Sequence, residues 1–198
     1  MIRAARTALS GKVGTVRPAY PIKTDRLHLR PFELTDLDDY AAYRTLPEVN
    51  RYLLNEVTDR AATAGLLATK TTQAELTGDG QWLALAVHWP EAGRVVGDVV
   101  LKWLSEEHRQ GEIGYVLSPE FQGRGLAGEA AGALLRVGFE ELGLHRITAQ
   151  ADPRNEASWR VMERLGMRRE AHHRHHQVFK GEWADVLVYA LLADEWTG

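Results

Sequence analysis

Residues 111–130 read Gly-Glu-Ile-Gly-Tyr-Val-Leu-Ser-Pro-Glu-Phe-Gln-Gly-Arg-Gly-Leu-Ala-Gly-Glu-Ala, and this stretch decides the fold. Its first seven residues favour a strand, and Ser118-Pro119 predicts the turn that ends it. Gly123 and Gly125 then precede an amphipathic helix that begins at Leu126, extends to Leu142 and is ended by Gly143. Small residues at a helix start let several backbone N–H groups point at one anion, which the helix dipole also favours. The stretch therefore predicts a strand, an anion-binding loop and a helix.

The same loop also fits the dinucleotide-binding pattern G-x-G-x-x-G over residues 123–128. In that pattern the first glycine follows a strand directly, and an acidic residue ends the next strand about 20 residues later. Here residues 118–122 separate the strand from the glycines, and Glu140 and Glu141 fall inside the predicted helix. An NAD-binding oxidoreductase is therefore a disfavoured hypothesis, which nicotinamide-cofactor binding would revive.

Strands and helices alternate on both sides of this stretch. Further strands are predicted at 27–32, 82–88, 94–103, 146–151, 168–179 and 184–192. Further helices are predicted from Thr35 or Asp36 through Tyr43, over 59–76, and from Asn155 to Leu165. This order indicates one mixed α/β (α+β) layer structure.

Composition and charge restrict the class of protein. Of 198 residues, 44% are hydrophobic and 26% are charged, as in ordinary globular proteins, and no apolar run approaches the ~20 residues of a membrane span. The absence of cysteine excludes disulfides, thiolate metal sites and a cysteine nucleophile, and it is compatible with a reducing compartment. We therefore expect a cytoplasmic protein with no membrane partner.

The first 23 residues carry five basic side chains and no acidic one. Short termini rich in small residues are usually solvated, so we interpret residues 1–23 as a mobile basic arm outside the fold and 24–198 as the folded domain. A basic arm on an acidic body would also suit nucleic acid or an acidic partner, which is the less favoured interpretation.

Read with its neighbours, the stretch at 111–130 resembles the central motif of the GNAT acetyltransferase superfamily, particularly its RimJ/RimL-like branch. The superfamily pattern Q/R-x-x-G-x-G/A falls on Gln122, Gly125 and Ala127. Two further blocks match in the same order, namely Leu27, Leu29, Arg30 and Pro31 upstream, and Asn155, Ser158, Leu165, Gly166, Met167 and Glu170 downstream. The resemblance extends over about residues 24–196.

The resemblance implies a single domain whose twisted, mostly antiparallel sheet has about seven strands and is flanked by about four helices. The sheet is expected to splay between the strands at 111–117 and 146–151, with acetyl-CoA bound there as a co-substrate and no metal. The pantetheine arm would pair with a strand backbone, and the pyrophosphate would meet the glycine loop. The residues expected to bind acetyl-CoA are Val116, Leu117, Gln122, Gly123, Arg124, Gly125, Leu126, Ala127, Gly128, Asn155 and Ser158.

Acetyl transfer to an amine needs a neutral nucleophile, stabilisation of an oxyanion and a proton for the departing thiolate. The resemblance implies that Glu112 is the base, commonly acting through water, and that Ser158 is the proton donor. Met162 and Gln177 stand where many relatives have a tyrosine acid and a glutamate base, and neither can serve in these roles. The alternatives are a solvent-facing Glu112, and helix capping by Asn155 and Ser158.

Four histidines lie within residues 172–176. In a regular strand His172 and His176 would face one way and His173 and His175 the other, so the four could not converge on one metal. A solvated, structural role is favoured, although one of them acting as the base stays open. The base is thus Glu112, a histidine of this run or water.

Four aromatic residues near the first two helices have two interpretations. Tyr40, Tyr43, Tyr52 and Trp82 are core residues by the usual behaviour of aromatics, or they line an acceptor pocket.

The function implied by the resemblance is N-acetyl transfer from acetyl-CoA to a primary amine that attacks directly in a ternary complex. The amine belongs to a protein N-terminus or to a small molecule. The alternative is a non-catalytic acyl-CoA-binding sensor that kept the loop and lost the base. Many relatives dimerise through their last strands, so a homodimer is left open.

Overall fold

The computed structural model describes residues 14–53 and 59–198. In this part of the chain the strands are β1 (Ile22–Lys23), β2 (His28–Pro31), β3 (Trp82–Trp89), β4 (Arg94–Ser105), β5 (Gln110–Leu117), β6 (Arg146–Ala151), β7 (Arg168–Phe179) and β8 (Glu182–Leu192). The helices are α1 (Leu37–Arg44), α2 (Pro47–Asn50), α3 (Arg60–Thr71), α4 (Leu126–Arg136) and α5 (Glu156–Arg164). The eight strands form one sheet in the order β1-β2-β3-β4-β5-β6-β8-β7. The predicted mixed α/β domain is confirmed, with eight strands and five helices where about seven and four were expected.

The sheet is antiparallel except between β5 and β6, which run parallel. Their pairing joins only Gln110–Glu112 to Arg146–Thr148. Beyond these pairs β5 remains bonded to β4, and β6 remains bonded to β8. The sheet therefore opens between β5 and β6, which confirms the splay expected between these two strands.

Helices cover both faces of the sheet. In β3, Leu83 and Leu85 belong to the larger hydrophobic core, which also contains Leu134 of α4, whereas Ala86 belongs to a smaller core with Tyr40 of α1. Successive strand residues point to opposite faces, so the two cores lie on opposite sides of the sheet. We call these sides the α1/α3 face and the α4/α5 face, because α3 joins the smaller core and α5 the larger one.

The helix predicted over residues 59–76 is shorter than expected. It begins as predicted after Asp59, whose side chain accepts a hydrogen bond from the backbone N–H of Ala62 at 2.8 Å. It ends at Thr71, where threonines follow one another and Thr72 Oγ1 donates to the Thr69 carbonyl at 2.8 Å, a local bond that competes with the helix. The five residues after it, 72–76, then lead to a backbone bridge elsewhere in the fold.

That bridge joins Leu76 to Val16, within the segment interpreted as a mobile arm. The two residues exchange backbone hydrogen bonds of 2.8 Å, and both side chains are buried. Tyr20 donates to the Ala74 carbonyl at 2.7 Å, and Ile22–Lys23 pairs with β2. Val16 is buried in the larger core, and Tyr20 and Ile22 pack against it, so residues 16–23 are part of the folded domain. Residues 1–13 of the predicted arm lie outside the described residues.

Among the described helices, none is long and apolar enough to cross a membrane.

Gly97 marks a close approach of β4 and β5. A Cβ atom there would lie 2.3 Å from the Val116 carbonyl oxygen and 2.4 Å from Leu117 Cδ2. We expect Gly97→Ala to lower the free energy of unfolding by about 2 kcal/mol, because the backbone oxygen cannot move without breaking the ladder. Urea denaturation measures the change.

Gly65→Ala is the matched control for this substitution. Gly65 is exposed on α3, and a Cβ there meets nothing within 4 Å. Replacing a helical glycine by alanine should raise the free energy of unfolding by about 0.5–1 kcal/mol. Equal effects of the two substitutions would contradict the packing account.

Candidate active site

A cavity of about 620 Å³ lies where β5 and β6 diverge. The strand residues in its wall alternate in direction, since Glu112 and Gly114 point to the α1/α3 face and Ile113 and Tyr115 to the other. The cavity therefore passes through the sheet. Helical residues that line it are Tyr40, Arg44, Leu66, Thr69 and Lys70 on one side and Asn155, Ser158 and Met162 on the other.

Glu112 occupies the last paired position before the two strands diverge. Its Oε2 accepts a hydrogen bond of 2.8 Å from Nε2 of Gln150 on β6, so the carboxylate is held across the opening. The side chain is half-buried and lines the cavity. A carboxylate in this position can accept a proton from a group inside the cavity. Gln150 was not among the expected residues, because no local pattern connects it to Glu112.

Ser158 lies against Tyr115 on the α4/α5 face. The Tyr115 hydroxyl donates to the Ser158 carbonyl at 2.7 Å, and Ser158 Oγ donates to the Tyr115 hydroxyl at 3.2 Å. Burial raises the pKa of Tyr115 to about 12, so its phenol stays protonated at neutral pH. Tyr115 brings to the opening the tyrosine hydroxyl that Met162 cannot provide. No local pattern predicts this contact, which joins a strand to a helix 43 residues away.

Asn155 is the N-cap of α5. Its side-chain oxygen accepts a hydrogen bond from the Ser158 N–H at 3.3 Å, which is the capping role weighed for it above. Asn155 also lines the cavity, so its capping role is compatible with a role in the site.

The glycine loop joins β5 to α4. Gly123 and Gly125 have φ angles of +75° and +79°, the left-handed region in which glycine is favoured, and no side chain caps the helix after Gly125. The first N–H groups of a helix have no partner within it, so those of residues 126–128 are available to an anion. Gln122 Nε2 donates to the Leu117 carbonyl at 3.0 Å, which ties the loop to the end of β5.

Two arginines flank this loop. The guanidinium of exposed Arg124 lies 5.5 Å from the centre of the Trp89 ring. Arg26 donates to the Arg124 carbonyl at 2.9 Å and to Glu129 of α4 at 2.7 Å. Burial alone would raise the pKa of Glu129, but hydrogen bonds from Thr24 and Arg26 outweigh burial and hold this pKa below its usual value. The start of α4 is thereby fixed to the beginning of β2.

The expected site residues occupy two neighbouring regions rather than one cavity. Glu112, Val116, Asn155 and Ser158 line the opening through the sheet, whereas Leu117 and residues 122–127 do not. Gly128 instead lines a second cavity of about 650 Å³ beside α4.

The histidine run departs from the alternation predicted for it. The rings of His173 and His176 stack with centres 5.0 Å apart, although a regular strand would place them on opposite faces. The prediction is wrong because the pairing with β8 is irregular between His173 and Gln177, where His175 has a φ angle of +48°. The irregularity turns His176 back towards His173.

None of these four histidines lines the opening between β5 and β6. His172 Nε2 lies 2.7 Å from Asp185 Oδ2, and Asp185 does line it. Hydrogen bonds from the His175 N–H and from His172 hold the pKa of Asp185 below its usual value. Over residues 14–53 and 59–198, no three His, Cys, Asp or Glu side chains are arranged to hold a metal ion.

Asp98 lies in the middle of β4 and is only 4% exposed. Its carboxylate accepts hydrogen bonds from Lys70 Nζ at 2.7 Å and from the Tyr43 hydroxyl at 2.9 Å. Burial alone would raise the pKa of Asp98, but the charges of Lys70 and Arg44 and these hydrogen bonds hold it below its usual value. The sequence did carry a signal here, since one acid within the apolar run 95–100 needs a buried partner.

The four aromatic residues divide between the two interpretations offered for them. Tyr52 and Trp82 line the cavity, and Tyr43 is buried against Asp98. Tyr40 fits both interpretations, since it is fully buried in the smaller core and also lines the cavity.

The sequence from residue 26 to residue 168 matches the family model of the acetyltransferase (GNAT) domain. The chain belongs to the GNAT acetyltransferase family. This GNAT chain is 36% identical over 176 residues to the uncharacterized N-acetyltransferase YnaD of Bacillus subtilis, covering 88% of this chain and 98% of that protein. It is 33% identical over 85 residues to the [ribosomal protein uS5]-alanine N-acetyltransferase of Escherichia coli, covering 43% and 44% of the two chains.

A solved GNAT structure agrees with this assignment. The GNAT-family acetyltransferase from Bacillus anthracis has a TM-score of 0.79 and 33% identity to this chain, over 88% of this chain and 99% of that one. The expected family, its RimJ-like relatives and an acetyl-CoA-dependent acyltransferase activity are thereby confirmed.

Replacing Asp98 tests the buried charge cluster of this GNAT domain. We expect Asp98→Asn to lower the free energy of unfolding at pH 7 by about 3–5 kcal/mol, because Lys70 and Arg44 lose their buried counter-charge. The pKa of Asp98 is lower in the folded state, so the carboxylate stabilises the wild type above about pH 3.9 and this stabilisation is lost as the pH falls through the folded-state pKa. The free energy of unfolding of Asp98→Asn should therefore not show the decrease at low pH that protonation of Asp98 causes in the wild type. Urea denaturation between pH 3 and 7 measures both effects.

The double variant Asp98→Asn/Lys70→Met is the control. The double variant, which removes the Lys70 cation together with the Asp98 carboxylate, should lower the free energy of unfolding less than Asp98→Asn alone. A single variant as stable as the wild type would contradict the role given to Asp98.

Proposed function

We propose that this chain transfers the acetyl group of acetyl-CoA directly to a primary amine bound with it in a ternary complex. The observation that carries the proposal is the opening through the sheet, with the Glu112 carboxylate on one face and the hydroxyls of Tyr115 and Ser158 on the other. Bound acetyl-CoA supplies the activated acyl group, a thioester. A proton acceptor and two proton donors thus flank one opening, as direct transfer requires.

Two features of the backbone support the binding of acetyl-CoA. The uncapped start of α4, at residues 126–128, suits a pyrophosphate because its N–H groups and helix dipole both favour an anion. The edge of β5 over residues 113–117 is not paired with β6, so its backbone groups are free to pair with the pantetheine amides. The Val116 carbonyl faces Gly97 of β4, and the Leu117 carbonyl already accepts from Gln122. The backbone groups left on the free edge are therefore chiefly those of Tyr115 and the N–H of Leu117, and Val116 contributes its side chain to the cavity wall.

The proton steps fall to residues on opposite faces of the sheet. Glu112 accepts the proton of the attacking amine, directly or through one water, and its hydrogen bond to Gln150 orients it. Ser158 Oγ and the neutral Tyr115 phenol, joined by a hydrogen bond in which Ser158 donates, are the proton donors to the departing sulfur, and water replaces the proton that they lose. Asn155 holds the first turn of α5, and with it Ser158, in place.

The sensor hypothesis would require a cavity that has lost its base. Within the described residues Glu112 lines the cavity and is oriented there, so nothing in the structure favours a sensor. The relative named for the alanine of ribosomal protein uS5 aligns over less than half of each chain. A protein N-terminal amine and a small-molecule amine therefore both belong to the proposal.

Glu112→Gln tests the base. We expect kcat to fall by about 10²–10⁴-fold, because the amine proton loses its acceptor. The Kd of acetyl-CoA, measured by calorimetry, should stay within about twofold, because the lost interaction is with the acceptor. Rates are followed as thiol release with a peptide bearing an N-terminal alanine, spermidine and amino acids as acceptors.

Glu107→Gln is the matched control. Glu107 is exposed in the turn between β4 and β5, and its substitution should leave both constants unchanged. Failure of the wild type to bind acetyl-CoA at millimolar concentration would overturn the proposed function, whereas full activity of Glu112→Gln would remove only the role of Glu112.

Tyr115→Phe and Ser158→Ala test the proton donors. Each should lower kcat by about 10–100-fold with little change in the KM for acetyl-CoA. Since the pKa of Tyr115 is about 12, the phenol is protonated from pH 6 to 10, and the wild-type rate should show no loss from its ionisation in that range. The pH–rate profile of kcat is the measurement.

Tyr20→Phe is the control for the tyrosine. Tyr20 makes an equivalent 2.7 Å hydrogen bond to a backbone carbonyl, that of Ala74, away from the opening. The same fall in kcat for both tyrosine variants would show that the loss reflects folding rather than proton donation.

A further inference from the structure

Arg44, the last residue of α1, is a buried arginine whose Nε has no hydrogen-bond partner. The residue is 6% exposed, and its guanidinium forms no ion pair with any residue in the described part of the chain. The hydroxyl of Tyr40, one turn earlier and fully buried, accepts at most a weak hydrogen bond from Arg44 and has no other partner among the described residues. Both residues line the α1/α3 side of the cavity, so the unpaired groups belong to the acceptor half of the candidate site.

An unpaired, buried guanidinium is destabilising, because it stays charged and has lost its hydration. The surrounding residues compensate only in part. The guanidinium lies 5.8 Å from the centre of the Tyr40 ring, a cation–π contact that offsets only part of the lost hydration. Asp98 attracts it, but that carboxylate is already bonded to Lys70 at 2.7 Å. Among the described residues, the two cations Lys70 and Arg44 against the one carboxylate of Asp98 leave this corner of the cavity with a net positive charge.

We propose that the acceptor is a small amine that also carries a carboxylate, and that Arg44 binds this carboxylate. This inference rests on the proposed function, since it assigns the acceptor half of the same cavity. A guanidinium can donate two parallel hydrogen bonds to a carboxylate, and the Tyr40 hydroxyl supplies a further donor. Burial raises the pKa of Tyr40, so its hydroxyl keeps the proton that it donates. A polyamine has no group that would neutralise this corner.

Strand register sets the span that the acceptor must cover. Asp98, to which Lys70 is bonded, pairs with Val116, whereas Glu112 pairs with Lys102. Four residues of β4 separate the two pairs, or about 13 Å at ~3.3 Å per residue. Arg44 and Glu112 both line the cavity, and their side chains shorten this span. An amine and a carboxylate several bonds apart, as in lysine through its side-chain amine or in an ω-amino acid, therefore fit better than alanine.

Pairs of amines that differ only in the carboxylate test the inference. The pairs are L-lysine with L-lysinamide, 6-aminohexanoic acid with its carboxamide, and L-alanine with L-alaninamide. Spermidine and a peptide with an N-terminal alanine complete the panel, and thiol release from acetyl-CoA gives kcat/KM for each. For the two long pairs we expect the acid to exceed the carboxamide by at least about tenfold.

Arg44→Gln should remove this preference. We expect kcat/KM for the acid to fall by about 100-fold, because the carboxylate loses a two-fold charged hydrogen bond, while that of the carboxamide stays within about twofold. Tyr40→Phe, which removes one donor, should lower the acid-to-carboxamide ratio by about 3–10-fold. Arg60→Gln is the matched control, because Arg60 is an exposed arginine at the start of α3, and it should leave the ratio unchanged.

The acid-to-carboxamide ratio of the wild type needs no variant and so survives any folding defect of Arg44→Gln. A ratio of about one or less in all pairs overturns the inference, as does a ratio that Arg44→Gln leaves intact while the variant binds acetyl-CoA normally. Faster turnover of spermidine or the peptide than of every acid also overturns it and leaves the proposed function standing. Binding of acetyl-CoA without turnover of any acid overturns it too. No binding of acetyl-CoA by the wild type means that the proposed function itself has failed.

Discussion

The site depends on the loss of pairing between β5 and β6 beyond Glu112 and Thr148. Each strand keeps its outer neighbour, so the sheet stays continuous at one end and opens at the other. Backbone groups at such an opening need partners, and an extended chain of amides can supply them. The strands are parallel, so the connections that follow them, which lead to the starts of α4 and α5, leave the sheet at the same end. One irregularity in pairing thus provides an opening, a free strand edge and two helix starts together.

Features that depend on neighbours in the chain could be predicted from the sequence. The bounds of β6, the glycine before α4 and the Asn155 cap of α5 all follow from local periodicity and local hydrogen bonding. The end of α3 could not be predicted in this way. The last five residues of the predicted helix, 72–76, are not helical, and Leu76 pairs instead with Val16. Val16 lies far upstream, in a segment predicted to be solvated. The register irregularity near His175 likewise depends on β8 and not on the histidines themselves.

The candidate site divides in the same manner. Glu112 and Ser158 were found by resemblance, and their roles stay predictions. Gln150 and Tyr115, which touch them, were not found, because each contact joins residues that only the folded sheet brings together. A buried charge cluster is an intermediate case: an acid within an apolar strand shows that a cation must lie near, but the strand does not tell which one or whether the charges balance.

The opening through the sheet also has a kinetic consequence. In the proposed function the donor binds on the α4/α5 face and beyond the end of β5, and the acceptor binds on the α1/α3 face. Each ligand would then reach the cavity from its own face of the sheet. The acetylated amine can depart while the spent thiol is still bound, or the reverse. The order in which ligands bind and products dissociate would therefore depend on their relative affinities and not on a shared route into the cavity.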